Sequence, residues 1–280
     1  MACGGGGGVN FFVIAMLLLL GFLPVGQASF DQYYKISKDQ WEREYAKGDW
    51  EYLDRQAIER ARAGVIVNMF YDVYGGGAFG STYLAAVAAR GAEAADHPED
   101  LEAGVAHLLD VGCGPGTLSD YLRGPQRKVY EGVDLSSKAV ETARRLRAGS
   151  TATQLVGSHA GVRPLRPEQF RQSDCLEFSP PLDKDGAPRK YGTIVFNEML
   201  YYVDHKKVLQ QYQQYLAPGG IFIISVWFNK EKALRDTIFA DARAMMETVD
   251  EVEFTGVTHT GAKKTRMPVS FHVEAFRVRK

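Results

Sequence analysis

His107-Leu-Leu-Asp-Val-Gly-Cys-Gly-Pro-Gly-Thr-Leu-Ser-Asp-Tyr-Leu122 decides the fold. It opens as a short apolar run, the pattern of a strand buried on both faces of a parallel sheet. Glycines then take alternate positions, Gly112, Gly114 and Gly116. Leu118 and Leu122 follow four apart, on one face of an expected helix. Strand, glycine turn and helix form the unit that brings bare backbone against a nucleotide-like ligand. Glycine is needed there because a Cβ would collide with the ligand or forbid a positive φ.

The spacing narrows the reading. A dinucleotide fingerprint, G-x-G-x-x-G, would place its third glycine at position 117, which is Thr. Here the pattern is D-x-G-x-G-x-G, with Asp110 closing the strand. It resembles motif I of class I S-adenosylmethionine-dependent methyltransferases. The resemblance implies that the turn passes beside the methionine half of the cofactor. Asp110, Gly112, Cys113, Gly114 and Gly116 are then cofactor-binding candidates.

Composition fits one large α/β domain with additions: 280 residues, 45% hydrophobic, 24% charged. The net charge of -1 gives no field to hold nucleic acid. Cys3, Cys113 and Cys175 do not make a disulfide framework, and no spacing suits a metal.

The N-terminus carries a different signal. Phe11 to Leu23 is uncharged and strongly apolar, the length of a signal-peptide core, and Gly26-Gln27-Ala28 offers small residues for cleavage. No Lys or Arg precedes it, whereas Lys35, Lys38, Arg43 and Lys47 follow. Counted over residues 9–28 the run also suffices to span a bilayer. Residues 1–29 are therefore expected to be a signal peptide or membrane anchor directing the chain to the secretory pathway or endomembranes. If the segment is retained, the charge asymmetry puts the catalytic domain in the cytosol.

Residues 30–100 read as a helical cover. Ser37 with Gln40 suggests a capping box, and Asp54 opens a second helix with Ile58, Ala61, Val65 and Met69 at helical spacing. Gly75-Gly-Gly77 ends it, and Ser81 can open a third helix. The aromatics Tyr33, Tyr34, Trp41, Tyr45, Trp50 and Tyr52 read first as packing and second as cavity lining.

Residues 101–280 form the expected methyltransferase domain. Its architecture is α/β: a Rossmann-like, doubly wound, seven-stranded sheet ending in an antiparallel hairpin. Residues 128–133 make a second strand ending at Asp134, about 20 residues beyond the turn, where a carboxylate meets ribose hydroxyls. Leu135 follows it, and Ser136 or Ser137 caps the next helix. By resemblance, Asp174-Cys175 sits where the family contacts adenine. Tyr191 to Asn197 is a fourth strand, running into Glu198-Met-Leu-Tyr-Tyr-Val-Asp-His205. This resembles the N/S-E-x-L-Y-Y variant of small-molecule, nodulation-type methyltransferases, not the D/N-P-P-Y motif of nucleic-acid base methylation. Asp204 caps a helix, Pro218-Gly219-Gly220 precedes a buried fifth strand, and alternating residues 252–259 and 269–278 close the hairpin.

The resemblance implies in-line methyl transfer from S-adenosylmethionine to nitrogen or oxygen of a small molecule. Glu198 and His205 are the candidates for removing a proton, Asn197 for facing the cofactor, and Tyr201 and Tyr202 for shaping the acceptor pocket. Two other readings stand beside it: a methyltransferase-like binding protein without activity, and a nicotinamide-dependent oxidoreductase, which the glycine spacing opposes.

Overall fold

Seven strands form one sheet in the order β3-β2-β1-β4-β5-β7-β6. In the computed structural model, residues 36–50, 56–75, 107–122, 125–148, 165–228, 232–260 and 265–279 are described. The strands are β1 His107–Val111, β2 Tyr130–Asp134, β3 Phe170–Gln172, β4 Tyr191–Asn197, β5 Leu216–Phe228, β6 Met246–Thr260 and β7 Thr265–Val278. β1 to β5 pair in parallel, while β7 runs antiparallel to both β5 and β6. Strand order reverses between β1 and β4, the place where an open α/β sheet leaves a crevice for a ligand.

Alternation along the strands builds two cores. Leu108, Ile221, Ile223, Val273 and Ala275 face one side; Leu109, Val111, Phe222, Ile224 and Phe276 face the other. Helices α2 (Ala57–Gly75) and α3 (Ser137–Arg147) cover the first face, α4 (His205–Gln213) and α5 (Lys232–Met245) the second. A further helix, α1 (Lys38–Lys47), lies against α3.

The helix starts follow side-chain chemistry. Ser37, Ser136 and Asp204 each accept a backbone N–H three residues on, from Gln40, Ala139 and Lys207. The capping box at Ser37 is half-formed, because the Gln40 side chain donates to Glu44 instead. The helix expected after the glycine turn is only a 3₁₀ turn, Thr117–Tyr121. Gly124-Pro125 comes too soon for a longer one. Leu118 and Leu122 are nonetheless buried.

On α2 the buried residues are Ile58, Ala63, Ile66, Val67, Met69 and Phe70, whereas Ala61 is exposed. Ile58 and Met69 of the expected stripe are buried, and Ala63, Ile66, Val67 and Phe70 continue the buried face at helical spacing. Ile58 presses into the space above Gly256, where an added Cβ would lie 2.3 Å from its Cδ1. Just before the helix, Gln56 grips β6: its Oε1 accepts from His259 N at 2.8 Å and its Nε2 donates to His259 O at 3.2 Å.

The apolar run at 9–28, the Asp54 cap, the helix after Ser81 and the linker 92–100 lie outside the described residues. Among the described helices none is long and apolar enough to cross a membrane.

Candidate active site

The crevice at the β1/β4 switch opens into a cavity of about 390 Å³. Its floor is the glycine turn. Gly112, Gly114 and Gly116 all have positive φ, 75°, 53° and 78°, which glycine alone adopts without strain. Gly112 and Gly114 line the cavity with Cys113. Burial pushes the Cys113 thiol well above its ordinary pKa, so it stays a neutral wall.

At the end of β2, Asp134 closes the turn from below. Its Oδ2 accepts from Gly114 N and its Oδ1 from Ser136 N, both at 2.8 Å. Burial raises its pKa to about 6, against these two backbone donors. Two carboxylate oxygens offer about four acceptor sites, so two remain for a ligand. Leu135, Asp174, Cys175, Asn197, Tyr201 and Tyr202 also line the cavity. Asp174 Oδ1 accepts from Leu176 N at 2.8 Å, and burial carries the Cys175 thiol to about 12.

Glu198 stands at the hinge of the two halves. It is the only non-glycine residue with positive φ among those described, at 58°, a conformation held by its surroundings. Its Oε1 accepts from Ser225 Oγ at 2.6 Å and lies 3.6 Å from Arg62 Nη1. Its Oε2 accepts from Trp227 N at 2.7 Å and Tyr201 Oη at 3.1 Å. Three donors thus hydrogen-bond the carboxylate, with the Arg62 charge beside them. Burial pushes the Tyr201 phenol well above its ordinary range.

Three expected site residues fall outside the cavity wall. Asp110, next to last on β1, turns toward the α2/α3 face, where Tyr130 Oη donates to it at 2.8 Å. Burial raises its pKa to about 7. Gly116 abuts packing rather than open space, since a Cβ there would lie 2.7 Å from Phe170 Cε1. His205 opens α4 behind its Asp204 cap, and its Nε2 meets Asp241 Oδ2 on α5 at 2.8 Å. It joins two helices and does not reach the site.

Other residues complete the wall. From α1 and just beyond come Trp41, Tyr45 and Trp50, with Trp41 edge-on to Tyr202 at 5.0 Å. The cavity-lining reading of the cover aromatics holds for these three. The cover is anchored by Glu42, which accepts from Ser137 N at 2.7 Å, Lys138 N at 3.0 Å and Ser136 Oγ at 3.0 Å. A carboxylate at the start of α3 meets the free N–H groups there and the positive helix end. From α2 come Glu59, Arg60 and Arg62; from β5 and the hairpin come Trp227, Thr258, Met267 and Phe271. No motif marks these residues, because tertiary docking brings them in.

Residues 82–253, more than half of the chain, match the profile of a methyltransferase domain family. No curated protein sequence matches. Among solved structures, N-methyltransferase NodS from Bradyrhizobium japonicum WM9 is 18% identical over 64% of this chain and 90% of its own, with TM-score 0.44. Magnesium protoporphyrin IX methyltransferase (ChlM) from Synechocystis PCC 6803, with bound SAM, is 17% identical over 98% of this chain and 100% of its own, at 0.44. A SAM-dependent methyltransferase from Thiobacillus denitrificans, in complex with S-adenosyl-L-homocysteine, is 17% identical over 62% and 85%, at 0.40. These likenesses carry no argument about the acceptor. The family match does carry one about the chemistry: this chain belongs to the methyltransferase domain family and is a class I S-adenosylmethionine-dependent methyltransferase.

Proposed function

We propose that the enzyme methylates nitrogen or oxygen of a small molecule held in the walled half of this cavity. The carrying observation is that one cavity joins the Gly112–Gly114 turn and Asp134 to an aromatic chamber at Glu198, Tyr201 and Tyr202. Such a chamber, roofed by α1 and α2, suits a small acceptor that can be enclosed.

The residues present fit the cofactor. Asp134 keeps two acceptor sites for vicinal hydroxyls, and Gly112 and Gly114 expose backbone without side chains. Asp174, Cys175, Leu135 and Asn197 line the same cavity and would stand beside the adenine, the ribose and the junction with the acceptor chamber. When bound, S-adenosylmethionine supplies an electrophilic methyl group. The protein's share is alignment and exclusion of water, which in a well-oriented pair is worth roughly 7–11 kcal/mol. Three of the four acceptor sites of Glu198 are engaged, by Ser225, Trp227 N and Tyr201, so its part is to hold Tyr201 in place beside the Arg62 charge.

Calorimetric titration of the full chain tests this reading. Binding of S-adenosylmethionine and its demethylated product in the micromolar range, about -8 kcal/mol, is expected, with none of NAD. Asp134→Ala should weaken both about tenfold. A folded protein that binds neither sulfur nucleotide would sink the proposal. For the cell, we propose that residues 9–28 direct the enzyme to the secretory pathway or endomembranes. Comparing the distribution of fusions with and without residues 1–29 checks this, and identical cytosolic distributions would refute it.

A further inference from the structure

We infer that Arg62 reads an oxygen of the methyl acceptor, and that the acceptor is a flat ring bearing a carbonyl, carboxylate or phenolate oxygen. The inference rests on the methyl-transfer reading above and sharpens it.

Arg62 projects from α2 into the chamber wall, with its side chain 13% exposed. Its Nη2 lies 2.7 Å from Glu59 Oε2. Its Nη1 is 3.6 Å from Glu198 Oε1, too far for a hydrogen bond. Its Nε is buried without an acceptor. The guanidinium therefore has more desolvated donors than the protein satisfies, an arrangement that costs stability unless a ligand answers it. Its plane is fixed, because the Cζ sits 4.7 Å above the centre of the Phe271 ring.

The two carboxylates paired with it, Glu59 and Glu198, leave it incomplete. Glu198 is held by Ser225, Trp227 N and Tyr201. Glu59 compensates the charge at Nη2. What remains is an Nη1 edge in a chamber walled by Trp227, Phe271, Tyr201 and Tyr202. A planar donor edge between aromatic walls suits an oxygen on a flat ring. An ammonium group would face the guanidinium charge and find the Glu198 oxygens already engaged.

The experiment is calorimetric titration of the full chain saturated with S-adenosylhomocysteine. The probes are salicylate, 2-hydroxyacetophenone and phenethylamine. Both oxygen-bearing rings should bind about tenfold or more tighter than the amine. Arg62→Gln should lose about tenfold in affinity for the oxygen probes, and Arg62→Lys should fall between, since an ammonium lacks the planar fork. Both should keep S-adenosylhomocysteine affinity within roughly twofold. If the Arg62 variants do not fold, Phe271→Leu serves instead, and it should weaken the oxygen probes with the cofactor product still bound. The inference is overturned by equal or tighter binding of phenethylamine, by unchanged oxygen-probe binding in the variants, or by no binding of either oxygen probe. Failure of the wild type to bind S-adenosylhomocysteine would instead strike the methyl-transfer reading.

Discussion

Gly116→Ala separates a glycine kept for packing from one kept for a ligand. The residue has φ 78°, where an L side chain costs about 1–2 kcal/mol. An added Cβ would also lie 2.7 Å from Phe170 Cε1, 3.1 Å from its Cζ and 3.3 Å from Ala143 Cβ. Phe170 is fully buried and packs edge-on against Tyr130 at 5.8 Å, so it has little room to swing away. Overpacking a rigid core costs about 1–3 kcal/mol. The sum is about 2–5 kcal/mol. Gly186 supplies the control: it has the same φ of 78°, but an added Cβ there meets nothing within 4 Å. Gly186→Ala should lose the conformational part alone, about 1–2 kcal/mol. The unfolded-chain entropy gained by replacing glycine is common to both variants and cancels. Urea unfolding of the two proteins measures the difference. Because Gly116 lies outside the cavity wall, folded Gly116→Ala should bind S-adenosylhomocysteine within roughly twofold of wild type. Equal losses at the two positions would refute the packing argument, and a selective loss of cofactor-product binding would return Gly116 to the ligand.

Asp110 is 1% exposed and its carboxyl is raised from 3.8 to about 7, chiefly by burial. The native state thus holds this proton longer than the unfolded chain, so its contribution is full below about pH 4 and lost as pH rises through about 7. Asp110→Asn should flatten that slope, on the order of a few kcal/mol, in urea midpoints between pH 4 and pH 8; an unchanged slope contradicts it. Glu42→Ala should lower stability by about 0.5–2 kcal/mol and expose α1 to proteolysis, since three donors at the start of α3 lose their acceptor. A cleavage pattern identical to wild type would show that α1 is held by something else. His205→Gln should leave kcat/KM within about threefold while lowering the unfolding midpoint, because its Asp241 contact joins α4 to α5. A loss of about a hundredfold in kcat would make it a catalytic group after all.

What could be read in advance followed the range of the interaction. The Leu108-Leu109-Asp110-Val111 run and the alternation in β6 and β7 report local burial, and they gave the sheet and its closing hairpin. Ser37, Ser136 and Asp204 act within one helical turn, and their caps were visible from spacing alone. Asp134 and the Gly112–Gly114 turn were legible because a motif fixes their relation. Asp110 and His205 lie outside the cavity wall, because a motif does not say which way a strand residue points or which helix packs beside it. Arg62 gave no signal at all: nothing near it in the chain reveals that α2 would dock on Phe271 and Glu198.

The grip of Gln56 on His259 spans 203 positions of the chain. It ties the roof of the active site to a hairpin that is made after every other strand of this sheet. Until β7 slots between β5 and β6, α2 has no Gly256 groove to enter and Arg62 no Phe271 to rest on. The chamber therefore assembles after β6 and β7 are made, later in synthesis than the glycine turn and Asp134. A nascent chain could grip its cofactor before it has anywhere to put an acceptor, an order that keeps a half-made enzyme from spending methyl groups.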